Sequence, residues 1–541
     1  MKRVSENKKK AEEKRAKAKK NNLIWKIIGF VLLAIQAVAS AFAFQEAYML
    51  GMFPDLYLIA IGAVFIILLA LNFLLLFAGT KKNLARFFRR SLAIILVIAV
   101  CISSVYLGIL MTSVRSAVNE ITTTESTESE SESVAASMEV YIISHDSATS
   151  LADCKAYTFG VAGGNDGPSS FAAVTKINEE LGEKIADKEY PSTAGAAKAL
   201  YKGEVGAIII DRNYVKMLNE STDFADFTTW TKLVATIDIT TGELAAAETS
   251  NPYSQGSDDK VVDIAPATHK VDNIEVEPFI VYISGSDTRE EYFQAERSDV
   301  NILMVVNPQT KQILLLNTPR DYFIPNPRSA AGTEDKLTHL GIYGVDCSIT
   351  GLENLYDCDI NYYVQINFTG AETLVDDLGG ITFYNPNEFT GRGVYFPEGE
   401  ITLNGEEAVI YARERYAFVD GDNMRGQNQM RLITAIIKRF TSPDTTTLLK
   451  YNIFLDDLDG FMVTNLESDE INNLVKMQMS DMASWNIQTY AVTGWGEMTE
   501  TYSMPGTDLY VCHPYWSTVY QGQDLIDKVL DGEIITDDMV E

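Results

Sequence analysis

Three apolar runs near the amino terminus constrain this chain more than any other feature. They cover about residues 23–45, 54–79 and 91–113 of a 541-residue sequence. Each approaches the ~20 residues that carry a helix across the hydrocarbon core of a bilayer. A cleaved signal peptide has a shorter apolar core and stands alone, so it fits this pattern poorly. Residues 1–20 hold ten Lys/Arg against three Glu, and the second loop, 80-TKKNLARFFRR-90, holds five Lys/Arg and no acid. The loop between the first two runs carries Glu46 and Asp55 and no base. Excess positive charge marks the cytoplasmic side. The chain is therefore expected in the cell membrane with three spans, its amino terminus in the cytoplasm and everything after about residue 114 outside. Gln36 near the middle and Lys26 near the start make the first span the least apolar; Lys26 can snorkel to the interface.

Segment composition divides the chain further. Residues 1–22 read as a basic cytoplasmic tail and 23–113 as the membrane module. Residues 114–137 include 121-ITTTESTESESESV-134, acids and hydroxyls without an aromatic, too polar to bury a core, and are expected to form a flexible spacer. From 138 to 245, short β-rich runs (139–144, 156–163, 206–211) alternate with helical patterns (168–185, 194–205), which predicts an α/β domain with a largely parallel sheet. The run 203-GEVGAIIIDRNYVKML-218 in it resembles pieces of periplasmic solute-binding proteins. Residues 246–275 are a polar, turn-rich linker. A second domain, 276–515, opens with strand-length apolar runs at 278–287, 299–307 and 311–321, has another at 361–368, and carries helical patterns at 369–379, 404–415 and 423–440. Helices near 445–458 and 468–481 and a strand near 487–493 complete it. The fold class is α/β: three membrane helices, an α/β accessory domain, and a carboxy-terminal α/β domain with a central mixed sheet flanked by helices. Residues 516–541 read as a loose acidic tail.

A formal net charge of −30 argues against nucleic acid as a partner. Five scattered cysteines without a CxxC exclude a dense disulfide framework and disfavour zinc. Cys347 and Cys358 could pair if the fold brings them together; otherwise they are two buried thiols.

Against that acidity, 411-YARERYAFVDGDNMRGQNQ-429 concentrates Arg413, Arg415 and Arg425. Other polar groups collect at strand ends: Gly285 to Arg289 with Asp287, then Arg297-Ser298-Asp299, Pro319-Arg320-Asp321, and Lys336 with His339. In α/β sheets ligands gather beyond the carboxyl ends of strands. Arginine forks bind phosphate oxygens, and aspartates beside hydroxyls suit a hard cation such as Mg²⁺. This combination describes pyrophosphate or phosphodiester chemistry, where catalysis is positioning and charge neutralisation. The alternative is arginine–aspartate pairs that tie loops down. No HExxH, GxSxG or Walker-type loop is present. His145 and His339 stand alone in sequence, which fits structural or surface roles.

At these residues the second domain resembles the LytR-CpsA-Psr family of cell-wall glycopolymer transferases. The elements appear in order: Gly285 and Asp287 with Arg289; Arg297-Ser298-Asp299; Pro319-Arg320-Asp321; Asp335-Lys336-Leu337 running to Tyr343-Gly344; Tyr411, Arg413 and Arg415; and Gly421-Asp422 with Arg425. The family's last element usually continues R-x-x-R-Q-Q; here Asn428 replaces the second arginine and Met430 the second glutamine. The resemblance implies a membrane-anchored extracellular phosphotransferase. Its donor would be a glycopolymer on a polyprenyl-pyrophosphate lipid and its acceptor a hydroxyl of peptidoglycan, with Mg²⁺ (or Mn²⁺) as cofactor. It implies Asp287 and Asp299 near the metal. Arg289, Arg297, Arg320, Lys336, Arg413, Arg415 and Arg425 would contact pyrophosphate, and Gln429 would orient an oxygen. Asp321 would hold an arginine or serve as base. Competing readings are a solute receptor built on residues 138–245, a transcription regulator, for which no helix-turn-helix is evident, and a hydrolase using the same residues.

Overall fold

A computed structural model describes residues 2–78, 83–123, 134–253, 259, 261–286, 288, 295–419, 421–442, 458 and 460–540. It divides into two compact units.

The first unit holds three helices, α1 (Lys2–Leu50), α2 (Asp55–Phe77) and α3 (Asn83–Thr123). All three are long and apolar enough to cross a membrane. Both outer helices exceed the apolar runs: α1 carries the basic tail as helix, and α3 continues past 113 into the expected spacer. Val114 and Val118, four residues apart, are both buried and extend the packed face of α3. Polar residues inside the runs pair with each other. Asn72 Nδ2 of α2 donates to Gln36 Oε1 of α1 at 2.8 Å, so the weak point of the first span is an interhelical bond. Glu46 lies on α1 rather than in a loop and meets Arg115 of α3 at 3.3 Å. The helix Ser468–Asp481 forms as expected but clusters with this unit rather than with the α/β domain. The helix expected near 445–458 lies outside the described residues, apart from 458.

The first strand of the second unit is β1 (Val134–Ile143), which starts four residues earlier than the composition suggested. With β2 (Thr158–Ala162), β3 (Ala186–Tyr190), β4 (Ala207–Asp211) and β5 (Thr231–Thr240) it forms a sheet of order β3-β2-β4-β1-β5. β3, β2 and β4 are parallel, but β1 runs antiparallel to both β4 and β5, so the sheet is mixed rather than largely parallel. Helices α4 (Gly167–Leu181), α5 (Thr193–Tyr201) and α6 (Arg212–Glu220) cover it. The helix Thr241–Ser250 takes the first residues of the expected linker, started by a Thr240/Glu243 capping box.

The larger sheet has six strands: Met462–Thr464, Tyr362–Ile366, β6 (Phe279–Gly285), β7 (Val300–Asn307), β8 (Gln312–Asn317) and Asn486–Ala491. β6, β7 and β8 form an antiparallel meander, and the strands Tyr362–Ile366 and Asn486–Ala491 flank it in parallel pairings. The sheet is mixed, as expected. Its core joins Ile280, Tyr282, Leu303 and Leu316 to Leu352 and Tyr356 of the helix Val345–Tyr356. The acidic tail is not loose. Trp516–Leu530 is a helix whose Val519, Leu525, Ile526 and Val529 are buried in that core. Its apolar residues recur on one face, while Asp524 and Asp527 lie off it. All five cysteines are free thiols, and Cys347 packs in the core.

Candidate active site

The meander decides where the charged residues meet. Because β6 and β7 are antiparallel, the end of β6 faces the start of β7, with Gly285 opposite Val300. The end of β8 returns to the same edge, with Asn317 opposite Ile302. Residues 285–286, 297–299 and 318–321 therefore gather at one end of the sheet. Backbone bonds lock them: Asp299 N to Gly285 O (2.7 Å), Ser298 N to Thr338 O (3.2 Å) and Thr338 N to Arg320 O (2.8 Å). Ser298 serves this turn. Its hydroxyl donates to Val300 O at 2.8 Å and receives Tyr282 Oη at 3.0 Å, fixing the two charged neighbours it separates.

The helix Gly421–Thr441 closes the edge. A Cβ at Gly426 would stand 2.3 Å from Asn317 Nδ2, so glycine lets this helix approach the end of β8. Arg425 is thereby set facing the cluster. It pairs with Asp422 at 2.9 Å and lies close enough to Asp299 and Asp321 to bias their ionisation.

The result is a largely buried ion network. Arg320 Nη1 donates to Asp299 Oδ1 at 2.8 Å, and Lys336 Nζ donates to Asp321 Oδ1 at 3.1 Å. Asp321 therefore holds a lysine first, with Arg320 Nε at 3.6 Å from its other oxygen. Burial works to raise the pKa of Asp299, but Arg320, Arg297 and Arg425 outweigh it and hold the carboxyl well below the usual range. The same balance lowers Asp321, through Lys336 and Arg320. Asp422 goes the other way: burial raises it despite Arg425. Two buried guanidinium groups keep an unused donor. Neither Arg297 Nε nor Arg320 Nε has a hydrogen-bond acceptor among the described residues.

A residue that sequence reasoning passed over joins them. Glu220, at the end of α6 in the accessory domain, accepts from Arg297 Nη1 at 2.9 Å and lies 3.7 Å from Lys336 Nζ and 3.9 Å from Arg320 Nη2. It stands 77 positions before Arg297, outside every motif quoted above, and no local signal marked it.

Other expected residues make contacts of their own. Arg413 stacks over Phe368 at 4.1 Å, and Phe368 N donates to Thr288 O at 3.3 Å beyond the end of β6. Arg415 donates to Tyr416 Oη at 2.8 Å, and its charge acts on Asp422. Gln429 donates to Ala412 O at 3.4 Å, tying the helix Gly421–Thr441 to the helix Gly405–Arg413. Where the family pattern has an arginine, Asn428 Oδ1 receives Arg431 Nη1 at 2.7 Å. His339 is fully buried against Asp335 at 2.7 Å; burial lowers its pKa, and the ring is a structural tie. Asp287 and Arg289 lie outside the described residues. For a hard cation, Asp299 offers carboxylate oxygen, and the neighbouring Ser286 Oγ is buried with no hydrogen-bond partner among the described residues. These donors fit Mg²⁺, although no three acidic, histidine or cysteine side chains converge among the described residues.

The LytR_cpsA_psr family matches residues 239–511. A polyisoprenyl-teichoic acid–peptidoglycan teichoic acid transferase TagU of Halalkalibacterium halodurans is 34 % identical over 253 residues, 46 % of this chain and 79 % of that protein. The TagU of Enterococcus faecalis is 34 % identical over 200 residues, 37 % of this chain and 65 % of that protein. Among solved structures, Bacillus subtilis TagV aligns over 47 % of this chain and 98 % of its own, at 26 % identity and a TM-score of 0.40. The family match across half of the chain, with a relative 34 % identical over 79 % of its length, establishes that this chain belongs to the LytR_cpsA_psr family.

Proposed function

We propose that this protein is a membrane-anchored phosphotransferase acting outside the cell. It moves a glycopolymer from a polyprenyl-pyrophosphate carrier to a peptidoglycan hydroxyl. The acceptor oxygen attacks the phosphorus that bears the glycan. The bond from that phosphorus to the bridging oxygen breaks, and polyprenyl phosphate leaves. The acceptor's proton passes to a carboxylate of the cluster or to the departing phosphate. The observation that carries this reading is the pair of buried donors without a hydrogen-bond acceptor among the described residues, Arg297 Nε and Arg320 Nε, the latter 3.6 Å from Asp321 Oδ2, in a network with Lys336 and Arg425. A buried donor without an acceptor costs about 1–3 kcal/mol. A pyrophosphate oxygen would relieve that cost, most of all as charge develops on the bridge. The relatives' names point to teichoic acid as the polymer. Mg²⁺ would be held by Asp299 with Asp287 and would neutralise phosphate charge. Positive-inside charge supports placing the second unit outside the cell.

The test uses full-length protein in detergent with a short-chain lipid-pyrophosphate-linked sugar, peptidoglycan fragments and Mg²⁺. Wild type should attach sugar phosphate to the fragments and release lipid phosphate; Arg320→Ala and the Arg413→Ala/Arg415→Ala pair should each abolish both. Release without attachment would mark a hydrolase. A wild type that neither binds nor consumes the donor would end the reading.

A further inference from the structure

The accessory domain reaches into the site. Helix α6 is docked on the larger domain: Met217 and Leu218 are buried in one cluster with Met504 and Leu509, and Asn213 Nδ2 donates to Ala295 O at 3.0 Å. The docked helix ends at Glu220, beside Arg297, Lys336 and Arg320. An acid in the last turn opposes the helix dipole, which favours cations there. A residue that breaks a local rule where charges converge points to function.

Charge balance sharpens the point. Asp299 is taken by Arg320, Asp321 by Lys336, and Asp422 by Arg425. Glu220 is the carboxylate that answers Arg297 at hydrogen-bond distance. Burial works against its charge, but Arg297, Lys336 and Arg320 prevail and keep it ionised. Unlike Asp299 and Asp321, whose side chains are 13 % and 10 % exposed, the Glu220 side chain is 33 % exposed and stands at the rim. It is an anionic oxygen pair in contact with the cations that a pyrophosphate would use.

Resting on the pyrophosphate reading above, we propose that Glu220 is a gating residue supplied by the accessory domain. Its carboxylate takes the place of a substrate oxygen on Arg297 and Lys336, and the lipid pyrophosphate must displace it to bind. Donor affinity in this chain is thus set by the position of α6, in the accessory domain. A ligand's apparent affinity falls by the fraction of protein that is open to it.

Glu220→Gln keeps the shape and the acceptor for Arg297 but removes the competing charge. In full-length protein in detergent, titrated calorimetrically with a short polyprenyl pyrophosphate, the variant should bind about ten-fold tighter. In turnover it should lower KM for the lipid donor and leave kcat little changed. A structural ion pair predicts the opposite, equal or weaker binding and an unchanged or higher KM, and that result overturns the proposal. A second measurement needs no variant. Carbodiimide should link Lys336 in the wild type to Glu220 in some molecules and to Asp321 in others, since one amine forms one amide. Saturating inorganic pyrophosphate should suppress the first link and spare the second; persistence of the Glu220 link overturns the proposal even if Glu220→Gln misfolds. Should wild type bind pyrophosphate while the variant gains nothing, only the gate fails. Should neither bind any pyrophosphate, the gate falls together with the phosphate site.

Discussion

Lys336 and Asp321 allow the folding role of the cluster to be separated from its chemical one. Lys336 is 2 % exposed, and its ammonium lies 3.1 Å from Asp321 Oδ1. Lys336→Met keeps most of the aliphatic volume and removes the charge. Breaking a buried pair from one side costs about 3–5 kcal/mol, because the other charge is stranded. Here Asp321 keeps Arg320 Nε at 3.6 Å. The loss should therefore sit below that range, at about 2–3 kcal/mol. At about 2–4 °C per kcal/mol for a domain of this size, Tm should fall by roughly 5–10 °C. Adding Asp321→Asn removes the stranded charge, so the double variant should recover much of the loss, with a coupling energy of about 1–3 kcal/mol. Transfer activity should not recover with it, because the cation that faces phosphate is gone. The assay pairs thermal unfolding of the full-length protein, followed by circular dichroism in detergent, with product analysis. If Lys336→Met costs under about 0.5 kcal/mol and the two substitutions simply add, the pair behaves as a solvated surface contact, and the buried-network argument is wrong.

Three further outcomes follow from the same geometry. Arg320→Lys keeps the charge but loses the fork that spans Asp299 and Asp321, so transfer should drop about 100-fold with little change in Tm; a change under two-fold would mean that charge suffices. Leu525 is 1 % exposed in the carboxy-terminal helix, so Leu525→Ala should lower the free energy of urea unfolding by about 2–5 kcal/mol; a neutral result would return that helix to the status of a loose tail. In the accessory domain, burial pushes the Asp166 carboxyl up to about 6 and Asp211 up to about 7. The folded state then holds protons that the unfolded chain releases above 3.8, so this domain loses stability as pH rises toward 7. Asp211→Asn, which preserves the cap on Asn213 N, should stabilise by about 4 kcal/mol at pH 8, by under half of that at pH 5 and hardly at pH 3; equal gains at pH 8 and pH 3 would refute the assignment.

What the sequence discloses here follows the range of the physics behind each signal. Periodicity and turn chemistry act over a few residues, and the strands from 279 to 317 and the helices at 405 and 421 fall where the pattern puts them. The site motifs are just as local: Arg297-Ser298-Asp299 and Pro319-Arg320-Asp321 flank strands whose antiparallel order brings them to one edge. Net charge misleads at the tail, because acidity on one helix face says nothing about Leu525 and Val529 on the other. The spacer boundaries fail for a related reason: composition averages over a window, whereas a helix or strand continues as long as its packed face does. Glu220 lies beyond all such signals. Its role depends on α6 docking across 77 positions of chain, and an acid at a helix end reads as ordinary surface until the partner surface is known. The resemblance in sequence to the family begins at residue 239, after α6, so the family's pattern supplies the cations while a segment outside it supplies the carboxylate that competes for them. A catalytic domain shared in this way can be tuned without altering any of its own site residues, because moving Glu220 by a few ångströms changes the charge that the donor meets.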